Sequence, residues 1–202
     1  MDSSTIISFA TFAIVAGFTP GPNNVMLAAS GANFGFRQSL PHILGIVFGF
    51  CTLLIAAGLG LATLFKMLPW LYGLLKIMSF VFLFYLAWKI GNAGRAKAKD
   101  KDRPLNFLEA ACFQLINPKG VMVIISSVTA YTSTAQNIVL ELTVLLLIFA
   151  TVCLASTCTW TVFGLGIARL LNDKSKLRRF NIIMAALLVL SLLPIIMEPS
   201  LT

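Results

Sequence analysis

The composition of this 202-residue chain excludes an ordinary soluble domain, because 58% of its residues are hydrophobic and only 11% are charged, against about 25% charged residues in a typical soluble protein. With a mean hydropathy of +0.93, the chain is predicted to be an integral membrane protein. Its 15 basic and 7 acidic residues give a net charge of +8, which in such a protein is interpreted by loop position, so no nucleic-acid partner is predicted.

The first predicted span runs from about Ser4 to Ala29 and is interrupted by Thr19-Pro20-Gly21-Pro22-Asn23-Asn24. Two prolines and a glycine cannot continue a regular helix, because each proline lacks an N–H and its ring clashes with the preceding turn. Backbone groups freed at membrane depth need protein partners or a water-filled cavity. The stretch from Pro20 to Asn24, namely Pro20, Gly21, Pro22, Asn23 and Asn24, is therefore predicted to form part of a solute-binding site.

Five further segments are long and apolar enough to cross a membrane, since a span needs about 20 mainly apolar residues. Their approximate bounds are Leu40–Phe65, Trp70–Ile90, Phe107–Val128, Ile138–Leu165 and Asn181–Met197. We therefore expect an all-α integral membrane protein with six transmembrane helices, forming a single transporter domain over residues 1–202. The first segment follows Asp2 and has no basic residues before it, so it is expected to be a retained span and not a signal peptide.

The basic residues concentrate on one side of the six predicted spans. Twelve of the 15 fall between spans one and two, around the end of span three and the linker after it, and between spans five and six: Arg37, Lys89, Arg95, Lys97, Lys99, Lys101, Arg103, Arg169, Lys174, Lys176, Arg178 and Arg179. The opposite side has only Lys66, while Lys76 and Lys119 lie within spans. The positive-inside rule therefore predicts that both termini lie outside.

This orientation makes the two halves of the chain an inverted pair. Residues 1–91 and 105–202 would form a 3+3 inverted repeat, joined by a cytoplasmic linker at 92–104. Each half begins with a span broken at proline, by Pro20 and Pro22 in the first and by Pro118 in the second. Interrupted spans at corresponding positions indicate the central site of a transporter, although proline kinks that only shape helix packing are the alternative. Both breaks lie about 12–21 Å from the face where their span begins, so they are expected to approach each other.

Polar residues at the two breaks indicate the chemistry of this site. Lys119 lies in a long uncharged stretch, and a charge within a span costs about 2.5 kcal/mol or more, so such residues tend to be functional. Its ammonium could bind a carboxylate, assisted by the N–H groups of a half-helix that starts at Pro118. Asn23, Asn24 and Asn117 offer uncharged donors and acceptors. The set suits a zwitterion such as an amino acid.

Few ionisable residues are placed to couple transport to an ion gradient. Lys119 and Lys76 are the candidate coupling residues, and Lys76 could instead extend its ammonium to the outer interface. Glu109 and Glu141 lie near the ends of spans, and His42, at the inner edge of span two, is predicted to be an interfacial residue. Carboxylates are absent from the middle of the spans, so a cation channel is not favoured.

The four cysteines, Cys51, Cys112, Cys153 and Cys158, all lie in apolar segments and form no CxxC pair. They are predicted to be buried small hydrophobes, and neither a metal site nor a redox pair is indicated. No cofactor is predicted.

Two glycines in span two, Gly45 and Gly49, form a GxxxG pattern. Small residues at this spacing let two helix backbones approach closely. The pattern predicts close packing, either within one subunit or between the two subunits of a homodimer.

Taken together, these stretches resemble the LysE/RhtB family of bacterial amino-acid exporters over the whole chain. The matching residues are Thr19-Pro20-Gly21-Pro22-Asn23-Asn24, Gly35-Phe36-Arg37 with Gly45 and Gly49, Lys76, Leu86-Ala87-Trp88-Lys89-Ile90, and Gln114 to Lys119. The branch that exports cysteine and O-acetylserine is the most similar, through the LAWKI stretch and the FRQS after Gly35, and the homoserine/threonine exporter-like branch is the other candidate.

The resemblance implies a secondary active exporter of small amino acids or derivatives, such as cysteine, O-acetylserine, threonine or homoserine, and not an enzyme. It implies proton-driven export across the bacterial inner membrane, which would place both termini in the periplasm. Alternating access would occur around the two broken helices, with membrane lipid as the surroundings and a homodimer left open. The predicted substrate-binding residues are Pro20, Gly21, Pro22, Asn23, Asn24, Asn117, Pro118 and Lys119.

Two other functions stay open at this point. A cation or metal exporter on the same scaffold would require carboxylate, histidine or paired cysteine ligands within the membrane, and no metal ligand is predicted here. A membrane thiol–disulfide electron carrier would require one cysteine beside each break. Cys112 lies five residues before Asn117, but the first span has no cysteine.

Overall fold

The computed structural model describes residues 1–61, 67–92, 103–132, 138–170 and 173–191, and the regular structure in these ranges is entirely helical. The prediction of an all-α protein is thereby confirmed for the described part of the chain. The helices in that part are α1 Ser3–Phe18, α2 Pro22–Ala56, α3 Pro69–Asn92, α4 Phe107–Ile116, α5 Pro118–Tyr131, α6 Ile138–Leu170 and α7 Lys174–Leu190, with a π-helical segment, Ala57–Leu61, directly after α2.

Only some of these helices are long and apolar enough to cross a membrane alone. By length and composition two pass that test, Pro22–Gly60 and Ile138–Leu170, although Pro22–Gly60 includes an interruption at Gly35. Helices α4 and α5 meet at a bend of 66° and would provide a third span if the bent pair is counted as one. The structure thus gives two or three candidate spans among the described residues, and the 3+3 repeat of six spans stays a prediction.

Helix α2 folds back on itself at Gly35, where we predicted a loop between the first two spans. Gly35 is the one residue of α2 with non-helical angles, at φ 78° and ψ 171°, a region that only glycine occupies without strain. The hydroxyl oxygens of Ser30 and Ser39 lie 2.7 Å apart, whereas nine residues of straight helix would separate them by about 13.5 Å. The predicted loop is therefore wrong, since one glycine divides α2 into arms at 22–34 and 36–56.

Side chains just before several helices fix where they begin. Asp2 accepts a hydrogen bond from the N–H of Thr5 at 3.0 Å, and Asp173 caps α7 in the same way. Asn106 and Glu109 form a reciprocal capping box at the start of α4, with both bonds at 2.8 Å. Such caps satisfy N–H groups that the helix itself leaves without partners.

The first arm of α2 packs against α6 with the two backbones in direct contact. A methyl group at Gly31 would overlap the carbonyl oxygen of Thr161, and one at Gly164 would overlap the carbonyl oxygen of Ala28. Because only glycine allows such an approach, these two residues set the distance between the helices.

The second arm of α2 packs against α4 through the predicted GxxxG pattern. A methyl group at Gly45 would overlap the carbonyl oxygen of Phe107, and one at Gly49 would lie 2.7 Å from that of Ala111. The alternative in which this pattern packs helices within one subunit is therefore confirmed.

The structure corrects two boundaries near the C-terminal end of the chain. Helix α6 continues to Leu170, beyond the predicted end of span five at Leu165, and α7 begins at Lys174 instead of Asn181. Several basic residues that were predicted in a loop therefore lie on helices: Arg169, Lys176, Arg178 and Arg179. The predicted end of span six at Met197, and most of the linker at 92–104, lie outside the described residues.

Substituting the two neighbouring glycines of α6 should separate backbone contact from helix propensity. Gly164→Ala should destabilise the protein by about 1–3 kcal/mol through overpacking, because its methyl would meet Ala28. Gly166→Ala has open space around its added methyl and should be neutral or stabilise by up to about 1 kcal/mol. Thermal unfolding of both variants in the same detergent measures the difference, and equal melting temperatures would contradict the proposed crossing.

Candidate functional site

The two breaks are in direct contact. The ammonium of Lys119, just after the second break, donates a hydrogen bond of 2.8 Å to the carbonyl oxygen of Thr19 at the first. A methyl group at Gly21 would lie only 2.8 Å from Cδ and 3.1 Å from Nζ of Lys119. The prediction that the breaks approach each other is therefore confirmed.

The carbonyl groups at the end of α1 have no partners within the helix and need them elsewhere. The side-chain amide of Asn24 donates to the carbonyl oxygens of Gly17 at 2.8 Å and Thr19 at 3.0 Å. The hydroxyl of Ser156 on α6 donates to Gly17 as well, at 2.7 Å. The amide nitrogen of Asn24 thus holds the broken backbone in place.

A second set of amides joins the two halves of the chain. Asn23 and Gln114 exchange two hydrogen bonds, at 2.7 and 3.2 Å, and Asn117 donates to the same Gln114 oxygen at 3.2 Å. Gln114 is 0% exposed and also donates to the carbonyl oxygen of Ala110 at 2.8 Å. Because these groups are buried, each unpaired one would cost about 1–3 kcal/mol, and the set therefore fixes α2 against α4.

The two half-helices after the breaks differ in how their N-termini are capped. Helix α5 begins with Pro118 and is capped by Asn117, whose side-chain oxygen accepts from the N–H of Gly120 at 3.4 Å. Helix α2 begins with Pro22 after Gly21, and no side chain caps it. The first N–H groups of a helix have no intrahelical acceptors, so the N-terminus of α2 can bind an anion.

A cavity of about 60 Å³, measured as the space open to the centre of a water molecule, lies where the breaks meet. This exceeds the roughly 10–15 Å³ that one water needs. Six of the eight predicted substrate-binding residues line it: Gly21, Pro22, Asn23, Asn24, Asn117 and Lys119. Pro20 and Pro118 do not; Pro20 is exposed and Pro118 is buried.

The remaining walls of this central cavity are mostly apolar. They come from α1, the second arm of α2 and α6, and include Ala13, Ala16, Phe50, Phe149 and Val152. Ser156 and Thr157 add two hydroxyl groups from α6, and no acidic residue is found among the described residues of the lining.

Two hydroxyl residues of the central cavity, Ser156 and Thr157, and Gln114, which bonds two residues of its lining, were not among the predicted site residues. Gln114 lies three residues before Asn117, which places both on one helical face, and this spacing was the available signal. Ser156 and Thr157 gave no usable signal, because hydroxyls in helices usually bond the carbonyl one turn earlier. Thr157 does so with Cys153, at 2.7 Å.

The other candidate coupling residues lie away from the central cavity or cannot be placed. Glu109 forms a two-bonded ion pair with Arg103, with both distances at 2.7 Å, and this pairing raises the pKa of the Arg103 guanidinium. Lys76 lies on α3, but its side chain is outside the described part of the structure. His42 is only 2% exposed, so its prediction as an interfacial residue is wrong, since the surrounding helices enclose it.

The cysteines are less buried than predicted. Cys112 is exposed on α4, and Cys51, Cys153 and Cys158 are half-buried. The prediction is wrong for Cys112 because an outward-facing position on a membrane helix is as apolar as a buried one, so the sequence does not separate the two.

Comparisons with known proteins agree with this architecture. The family model described as LysE type translocator matches residues 14–193. Proteins described as cysteine/O-acetylserine efflux protein, from Salmonella paratyphi A and Salmonella typhi, are each 28% identical over 193 residues, which cover 94% of this chain and 96% of theirs. A protein of the same description from Escherichia coli O1:K1 has the same identity and coverage.

No solved structure gives a significant match to this chain. The family model covers most of the sequence, including both breaks and all residues of the central cavity except Ala13. Together with the apolar helices, this match makes the chain a membrane protein that belongs to the LysE type translocator family.

Proposed function

We propose that the protein is a secondary active exporter of small neutral amino acids or their derivatives in the bacterial inner membrane. The observation that carries this proposal is the arrangement of charge at the central cavity. Two positive groups, the ammonium of Lys119 and the uncapped N-terminus of α2, lie next to the partly negative carbonyl groups at the end of α1. The relatives described as cysteine/O-acetylserine efflux proteins support the same class of solute.

The carboxylate of such a solute would bind at Lys119. This ammonium now donates to the carbonyl oxygen of Thr19, which carries only a partial negative charge. An ionised carboxylate makes stronger, charge-assisted hydrogen bonds and would displace that carbonyl. The N–H groups of Asn23 and Asn24, in the first turn of α2, would add donors at the positive end of the helix dipole.

The ammonium of the solute would take the place that Lys119 leaves. The carbonyl oxygens of Gly17 and Thr19 lie at the end of α1, where the helix dipole is negative. Once Lys119 turns to a carboxylate, the oxygen of Thr19 is open to a cation. A zwitterion would thus pair its carboxylate with Lys119 and its ammonium with the carbonyl of Thr19, so that no buried charge is left unpaired.

The lining of the cavity restricts the solute's side chain. Its alanine, valine and phenylalanine walls suit a short, uncharged group. A lysine side chain would bring a second positive charge to a cavity without an acidic residue among its described lining, and burying an unpaired charge is costly.

We extend this proposal to the transport cycle. The first break, between α1 and α2, and the second, between α4 and α5, would be corresponding elements of a 3+3 inverted repeat of six spans. The basic residues would place both termini in the periplasm. Alternating access around the two breaks would be driven by protons, with Lys119 and Lys76 as the coupling candidates.

Removing the charge of Lys119 should abolish most of the transport. Lys119→Met keeps the aliphatic length and removes the ammonium. A charged hydrogen bond contributes about 1.5–3 kcal/mol, so its loss should lower the uptake rate about 10- to 100-fold. Uptake of radiolabelled O-acetylserine into proteoliposomes with an imposed pH gradient measures this. Lys176→Met, on the exposed part of α7, is the matched control, and wild-type transport by Lys119→Met would reject the role of that lysine.

Gly21→Ala should impair transport by moving Lys119 while leaving the fold intact. Gly21 has an extended backbone, with φ −173° and ψ 179°, and only the flexible end of Lys119 stands in the way of an added methyl. We expect the KM for O-acetylserine to rise about tenfold, a free energy of about 1.4 kcal/mol, with a melting temperature close to that of the wild type. An unchanged KM would show that the ammonium works from another position.

The neutral lining predicts the order in which amino acids compete. Unlabelled serine and cysteine should inhibit uptake of labelled O-acetylserine at concentrations at least about tenfold lower than lysine, because burial of the lysine ammonium is uncompensated. Competition curves on the same proteoliposomes measure this order. Equal inhibition by lysine would contradict the assigned substrate class.

A further inference from the structure

A second cavity lies on the side of the molecule that is predicted to face the cytoplasm. It is also about 60 Å³, and it is enclosed by both arms of α2, the end of α3 and the segment before α4. The residues that matter for its chemistry are Ser30, Asn33, His42, Lys89 and Arg103. We call it the inner cavity.

His42 on the wall of the inner cavity has unmet hydrogen-bonding capacity. It is 2% exposed, and neither ring nitrogen has a hydrogen-bond partner in the described part of the structure. Buried polar side chains are nearly always hydrogen-bonded, and each unpaired group costs about 1–3 kcal/mol. A polar ligand in the inner cavity would satisfy this imidazole.

Most of the other polar groups on this wall are already engaged. The hydroxyls of Ser30 and Ser39 bond each other, and Asn33 exchanges two hydrogen bonds with Asn181. The guanidinium of Arg103 is neutralised by its ion pair with Glu109.

Lys89 supplies the available positive charge. Its ammonium has one long hydrogen bond, 3.4 Å to the carbonyl oxygen of Arg103, although an ammonium has three donors. Lys89 is half-buried, and it lines the same cavity as His42. An ammonium and an imidazole with unused donors form a site for an anion.

We propose that the inner cavity binds the carboxylate of the solute when it arrives from the cytoplasm, with Lys89 and His42 as its donors. This proposal rests on the proposed export function. It adds a second solute site, separate from the one at Lys119.

The position of the inner cavity along α2 supports a path from one site to the other. Asn23 and Asn24 line the central cavity, and Met26 lines the inner one, about 3–5 Å further along the helix axis. Asn23 pairs with Gln114, and Met26 belongs to one core cluster with Phe113. The bond from Asn23 to Gln114 and this cluster lie between α2 and α4, and opening them would give the solute a path between the cavities.

The test compares transport from the two faces of the membrane. Lys89→Met and His42→Leu are reconstituted in vesicles of pure phosphatidylcholine, and labelled O-acetylserine is presented at either face. We expect the KM at the cytoplasmic face to rise about tenfold in each variant, while the KM at the periplasmic face stays unchanged. His42→Gln, which keeps a donor and an acceptor, should recover most of the affinity, and Lys176→Met is the control.

The outcomes separate this proposal from its alternatives. Unchanged KM in both Lys89→Met and His42→Leu would overturn it and indicate a cavity filled with water. Equal changes at both faces would overturn it by showing an effect on the whole fold or on the central cavity. A change that appears only in vesicles containing phosphatidylglycerol would overturn it in favour of an anionic lipid headgroup.

The flux of O-acetylserine through the wild-type protein shows whether the export function or only the inner solute site has failed. Absence of any O-acetylserine flux in the wild type would overturn the export function, and the inner solute site with it. Normal wild-type flux with unaltered variants would overturn the inner site alone. Because Lys89 is only half-buried, Lys89→Met is expected to fold, and its melting temperature checks this.

Discussion

The structure depends on one constraint, which is that the helix interrupted at Pro20 and Pro22 must find partners for its terminal carbonyl groups. At the end of α1 those partners come from three different elements: Asn24 on α2, Ser156 on α6 and Lys119 on α5. None of the three is adjacent to Gly17 or Thr19 in sequence. Ser156 and Lys119 lie in the second half of the chain, so the carbonyl groups at this break have all their partners only when the two halves are assembled.

The same constraint links stability to chemistry. The ammonium that satisfies the carbonyl of Thr19 is also the one described cation of the central cavity. Its hydrogen bond to a neutral carbonyl is weaker than a pair with a carboxylate, so a carboxylate would displace the carbonyl of Thr19 from Lys119. A zwitterion offers a replacement for both partners at once. A solute with only one of the two charges would replace only one of these partners.

Features that are costly or unusual in a membrane helix could be predicted from the sequence. Residues that are ordinary in a helix could not. Prolines inside an apolar span, a lysine without a counter-charge and a GxxxG pattern are all costly or unusual, so the two breaks, Lys119 and the packing of Gly45 and Gly49 could be predicted. Ser156 and Gln114 are ordinary helix residues until the tertiary structure supplies their partners. The fold-back at Gly35 was missed because hydropathy does not distinguish a loop from one glycine with positive φ, and burial of His42 depends on contacts with distant helices.

The contacts also differ in how readily they can be exchanged, and this limits which parts could move during transport. The first arm of α2 is joined to α6 by backbone contact at Gly31 and Gly164, and the second arm is joined to α4 at Gly45 and Gly49. Such contacts cannot slide without steric overlap, whereas the amide pair of Asn23 and Gln114 and the bond from Lys119 to Thr19 can be replaced by solute or water. Relative motion would therefore open the exchangeable bonds first and bend the chain at Gly35, where the helix is already interrupted and no neighbouring atom would meet an added methyl. A rocking motion of this kind would connect the two cavities while keeping both glycine-mediated crossings intact.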